Sequence, residues 1–86
     1  MNLTQEQLKQ IWFKAKNAGA ENDRNGFRKD KYGAWIKWSD YGNRNSQYGW
    51  EVDHIIATAN GGSDTMSNLC PLHWKNNASK SGSRFL

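Results

Sequence analysis

Between Trp50 and Gly82 the chain sets four short elements close together. Trp50 to Ile56 is rich in aromatic and β-branched residues and reads as the best strand in the chain. A loop from Ala57 to Ser67 follows, and its Gly61-Gly62 pair permits positive φ angles at a tight reversal. Leu69 to Leu72 reads as a brief return strand. Pro71 lacks an N–H, so it must take an edge or a strand end there. His73 to about Ser81 reads as one short helix, with Gly82 as a natural stop just beyond it. So short a strand–loop–strand–helix run can bring the helix back across its own hairpin.

Upstream, Thr4 and Gln7 form the pattern of a capping box. Leu8, Ile11, Trp12 and Ala15 recur at helical spacing, so residues 4 to 16 read as an amphipathic helix. Asn17 to Asn25 is rich in Gly, Asn and Asp and reads as a loop. Gly33 separates two short runs, Phe27 to Tyr32 and Ala34 to Trp38, which suggests a hairpin. Ala34, Ile36 and Trp38 would share one face, Trp35 and Lys37 the other. Residues 39 to 49 are polar and read as a second loop. The expected fold class is α+β: an N-terminal helix and β-hairpin packed on a C-terminal ββα unit. Its parts are helix and loop (1–26), hairpin and loop (27–49) and the ββα segment (50–82).

Eighty-six residues make one small domain. A chain of this size buries about 60% of its unfolded surface. Five Trp, three Tyr and three Phe offset the modest core. Trp12, Trp35 and Trp50 are expected to stabilise the core rather than read bases. The net charge of +4 favours a phosphate-rich partner, although many mildly basic surfaces bind none. Cys70 is the single cysteine, which excludes an intrachain disulfide and a cysteine-built zinc site. No apolar run reaches the length of a membrane span, and the N-terminus lacks a signal-peptide core. The default expectation is a soluble cytoplasmic protein.

The chemistry concentrates at Asp53, His54 and Asn77. Strand neighbours point to opposite sides, so Asp53 and His54 can serve one substrate only at a strand end or bulge. Carboxylate and carboxamide oxygens are hard ligands suited to Mg²⁺ or Mn²⁺, and a neutral histidine beside them can take a proton from water. Each residue alone has an ordinary reading. Asp53 can cap a turn, His54 can be a hydrogen-bonded histidine, Asn68 can brace a turn, and Asn77 can be solvated helix surface.

The combination resembles the HNH endonucleases, also called His-Me or ββα-metal finger nucleases. Trp50-Glu51-Val52-Asp53-His54-Ile55, Gly61-Gly62, Asn68-Leu69 and His73-Trp74-Lys75-Asn76-Asn77-Ala78-Ser79-Lys80 carry the resemblance. Phe27-Arg28-Lys29-Asp30 and Gly33-Ala34-Trp35-Ile36 look like the N-terminal extension of small stand-alone bacterial and phage members. The resemblance implies that Asp53 and Asn77 are metal ligands, His54 is the general base, and Asn68 braces the loop and helps orient the histidine. It implies a one-metal hydrolysis of DNA, with Mg²⁺ foremost, leaving 5′-phosphate and 3′-hydroxyl ends. A neutral imidazole is needed, so activity is expected to fall in acid.

His73 is a candidate third ligand, with a packing or phosphate-contacting role as the favoured alternative. Arg28, Lys29, Arg44, Lys75 and Lys80, with Arg84, are candidate DNA contacts. Many members hold a structural zinc around this finger. Here the matching places are His73, Asn76 and Tyr32, and Cys70 is out of register, so no structural zinc is expected and aromatic packing is expected in its place. The competing reading is a non-catalytic DNA-binding module that keeps the scaffold. Small members also act within larger assemblies, such as phage DNA packaging or a restriction system. Oligomeric state is not legible.

Overall fold

The computed structural model describes residues 1–82. Thr4 starts helix α1 (Gln5–Trp12). Its hydroxyl accepts from the Gln7 backbone N–H at 3.1 Å, and the Gln7 side chain accepts from the Thr4 N–H at 2.9 Å. The helix ends four residues earlier than its periodicity suggests. Lys14, beyond that end, donates its ammonium to the carbonyls of Leu69, at 2.8 Å, and Met66, so it ties this segment to the finger. A short helix α2 (Ala20–Arg24) replaces the expected loop. No periodicity announces it. It is tied from outside by an ion pair between Asp23 and Arg28 at 2.7 Å, an example of tertiary contact overriding local preference.

Strands β1 (Phe27–Lys29) and β2 (Trp35–Lys37) form the expected hairpin, with shorter strands. Arg28 lies opposite Ile36, and both are buried. The outer face pairs rings with cations across the strands: Lys29 over Trp35 at 4.7 Å and Lys37 over Phe27 at 5.3 Å. Trp35 is 38% exposed, which corrects its expected place in the core.

Strand β3 (Trp50–His54) pairs antiparallel with β4 (Leu69–His73), from Trp50 opposite His73 to His54 opposite Leu69. This sheet has two strands, so both are edges and Pro71 is tolerated opposite Val52. Helix α3 (Trp74–Gly82) follows directly and packs on both strands. Leu8, Trp12, Ala15, Ile36 and Trp50 form one buried cluster, with the Trp12 and Trp50 rings 5.1 Å apart. Complete burial of such a ring contributes on the order of 3 kcal/mol. The cluster anchors the Trp50 end of β3 and so sets where Asp53 and His54 emerge at the other end.

A buried carboxylate ties the two hairpins together. Asp30 is fully buried. Its Oδ1 accepts from the backbone N–H groups of Tyr32 and Ala34, at 3.0 and 2.9 Å. Its Oδ2 accepts from the His73 backbone N–H at 3.0 Å and the Asn76 amide at 2.9 Å. A buried carboxylate without partners is strongly unfavourable; four converging donors offset its desolvation. The expectation of aromatic packing at this place is corrected. Hydrogen bonds to Asp30 make the tie, because the β1–β2 turn and the β4–α3 junction both direct N–H groups at one point.

Candidate active site

Residues two apart on β3 share a face, so Glu51 and Asp53 point together. Residues three apart on α3 do likewise, so Asn77 and Lys80 point together. The two faces meet. The Asn77 amide donates to Glu51 Oε1 at 2.8 Å, and the Lys80 ammonium donates to Asp53 Oδ2 at 2.6 Å. Lys80 also donates to the His54 carbonyl at 2.9 Å. Asp53 and Asn77 therefore reach facing surfaces, but they are joined through Lys80 and Glu51 rather than to one another. The Asp53 side chain is 13% exposed.

Glu51 is given no role by the sequence motif, and its alternation with Asp53 on the strand is the one signal for it. Arg44 grips it with two bonds, Nε to Oε2 at 2.6 Å and Nη2 to Oε1 at 2.8 Å. The Arg44 hydrogen bond, opposed by partial burial and aided by the Asn77 amide, holds the Glu51 carboxyl below the usual carboxylate range. Glu51 in turn raises the Arg44 pKa.

His54 is the last residue of β3, where the ladder no longer dictates its surroundings. Its Nε2 lies 2.6 Å from Asp64 Oδ1. Asp64 stands on the loop between β3 and β4, and no sequence pattern marks it. Buried Asn68 holds that loop. Its Oδ1 accepts from the Ile56 N–H at 2.8 Å, and its amide donates to the carbonyls of Ile56, at 3.1 Å, and Ser63, at 2.7 Å. Only Gly61 of the glycine pair has a positive φ, +86°. Gly62 is needed for space, since a Cβ there would overlap the Ile56 carbonyl.

His73 takes the packing role among its alternatives, not that of a third ligand or phosphate contact. Its Nδ1 accepts from the Lys75 N–H at 3.0 Å, its Nε2 meets the Gln47 carbonyl at 2.8 Å, and the residue is 6% exposed. Both ring nitrogens are occupied by backbone. The helical spacing to Asn77 misleads because His73 ends β4 and precedes α3. Arg28 is likewise corrected from a DNA contact to a buried tie. Besides Asp23, its guanidinium donates to the carbonyls of Ala15, at 3.1 Å, and Phe13, at 3.4 Å.

The other basic candidates differ in setting. Lys29 lies over Trp35, Arg44 is 55% exposed but bound to Glu51, and Lys80 is turned onto Asp53. Lys75 is exposed beside the Trp74 ring, at 5.5 Å. Arg84 lies outside the described residues. The Cys70 thiol is pushed up in pKa, chiefly by burial, so it is no thiolate ligand at neutral pH.

A family model described as HNH endonuclease matches residues 37–82. The chain belongs to the HNH endonuclease family. Neither a curated protein nor a solved structure matches it significantly. HNH membership supports a nuclease or DNA-binding function, and the matched span holds β3, the loop, β4 and α3. No helix among the described residues is long and apolar enough to cross a membrane.

The donor chemistry at this HNH site fits a hard divalent ion. Asp53 offers a carboxylate. Asn77 gives its amide N–H to Glu51, and its side-chain carbonyl is an oxygen of the type hard divalent ions take. The ammonium of Lys80 on Asp53 shows that this position accepts positive charge. No group of three or more His, Cys, Asp or Glu side chains among the described residues could hold a metal. Water and a substrate phosphate would have to complete the coordination.

Proposed function

We propose that this HNH protein is a metal-dependent DNA endonuclease. One observation carries the reading. The strand face bearing Glu51 and Asp53 meets the helix face bearing Asn77 and Lys80, with His54 at the strand end beside them. Asp53 and Asn77 would hold a divalent ion, Mg²⁺ foremost. When bound, that ion supplies polarisation of the phosphate and charge neutralisation for the leaving 3′ oxygen. His54 accepts a proton from the attacking water. Asn68 keeps the loop in place around His54. Exposed Lys75, on the same helix as Asn77, offers positive charge to the DNA backbone, while Lys80 is engaged with Asp53. Small family members acting in larger assemblies make a packaging or restriction complex a further partner to examine.

The alternative, a DNA-binding module without cleavage, draws on one feature. The Lys80 ammonium lies 2.6 Å from Asp53 and supplies a counter-charge for it from within the chain. Plasmid cleavage separates the two. Wild-type protein should cut with Mg²⁺ or Mn²⁺ and stop in EDTA. His54→Ala should slow cutting about 10²- to 10⁴-fold, the usual worth of a general base. Equal cutting by the variant would remove His54 from the mechanism. Salt-sensitive DNA binding with no cutting by the wild type would establish the binding module.

A further inference from the structure

We propose that Asp64 is the positioning residue for His54. It holds the imidazole in the tautomer that leaves Nδ1 bare to receive the proton. The inference rests on the reading of His54 as the proton acceptor.

A neutral imidazole has one N–H and one lone pair, and the partner of one nitrogen decides the state of the other. Asp64 Oδ1 lies 2.6 Å from His54 Nε2. An ionised carboxylate can only accept, so Nε2 carries the hydrogen in this pair. Nδ1 then keeps the lone pair, and it makes no hydrogen bond among the described residues. In the reaction, water gives its proton to Nδ1 and becomes the nucleophile. The Nε2–H bond to Asp64 is unchanged, and Asp64 takes no proton.

An exposed ion pair ordinarily contributes little, because its side chains are mobile and solvated. The Asp64 side chain is 60% exposed, so its own burial does not hold it. Its neighbours do. The Ser63 carbonyl accepts from the Asn68 amide at 2.7 Å, and the Thr65 carbonyl accepts from the Asn68 backbone N–H at 2.9 Å. Both residues flanking Asp64 are thus fixed to one buried asparagine. The opposite side of the dyad is fixed as well, since the Ile55 N–H donates to the Asn68 carbonyl at 2.8 Å. Asn68 therefore holds both ends of the His54–Asp64 contact, although it makes no hydrogen bond to either side chain.

The test compares Asp64→Ala and Asp64→Glu with the wild type. Imidazole ¹⁵N shifts of His54, assigned with His54→Gln, should show the Nε2-protonated tautomer in the wild type and a mixture in Asp64→Ala. Asp64→Ala should lower kcat for plasmid cleavage about 10- to 100-fold, the usual effect of losing a partner that orients a functional histidine. KM should stay within about twofold, because the substrate contacts are kept. Asp64→Glu should recover most of the rate. Unchanged kcat in Asp64→Ala, with cleavage abolished by His54→Ala, would overturn the proposal and leave the base assignment standing. Cleavage unaffected by His54→Ala would instead end the base assignment, while the tautomer measurement still reports on the Asp64 contact. A lowered melting temperature with an unchanged tautomer would make Asp64 a loop-stabilising residue and overturn the positioning role.

Discussion

His54 and His73 stand at opposite ends of one two-stranded ladder, His54 opposite Leu69 and His73 opposite Trp50. They share a side chain and little else. The buried His73 ring has both nitrogens bonded to backbone. The His54 ring has one nitrogen on a side-chain carboxylate, and its side chain is 22% exposed. An imidazole becomes chemically useful when the fold leaves it a lone pair and a path to solvent. One end of the ladder is closed by Asp30, Trp50 and the N-terminal helix. The other is open, and there the charged side chains collect.

The contrast can be broken in order of effect. Asp30→Ala should be the most damaging change at the closed end. It removes the acceptor for two turn N–H groups, the His73 N–H and the Asn76 amide. Loss of such a buried, fully bonded carboxylate is expected to cost about 3–5 kcal/mol, read as the shift in a urea or thermal melt. A loss below about 1 kcal/mol would show that the hub is dispensable.

His73→Ala should follow, at about 1–3 kcal/mol, because the Gln47 carbonyl and the Lys75 N–H lose their partners. Cleavage per folded molecule should stay near wild type, the reverse of the pattern for His54→Ala. A normal melt with lost cleavage would give His73 a role at the substrate and collapse the distinction between the two ends.

The smallest effect is expected at Glu51, as a pH dependence. The Glu51 carboxyl is held below its usual value by Arg44. A depressed carboxyl adds stability above the unfolded carboxylate pKa, about 4.3, and loses it as the pH falls through the lower folded value. The stability gap between wild type and Glu51→Gln should therefore be full at neutral pH and close in acid. A gap constant from neutral to acid pH would remove the Arg44–Glu51 pair as its source.

Much of the fold was legible beforehand because it depends on local pattern. The Thr4–Gln7 cap, the hairpin around Gly33 and the strand from Trp50 could be placed within a few residues. The candidate site could be nominated from the sequence as a set of residues, Asp53, His54, Asn68 and Asn77, but their contacts could not. Helix α2 was missed because it is short and held from outside. Arg28 read as a free cation because nothing local shows that its strand face is inward. Glu51 shares a strand face with Asp53, but only the contacts with Arg44 and Asn77 bring it into the site.

The sequence by itself determined the order of elements and which side chains share a face, since strand and helix periods of two and 3.6 residues are properties of neighbouring residues. Tertiary structure alone decided which polar groups are buried and whom they meet. The partners lie far apart along the chain: Asp30 meets the His73 N–H across 43 positions, and Lys80 meets Asp53 across 27. Burial depends on what another segment covers, and no local period encodes that.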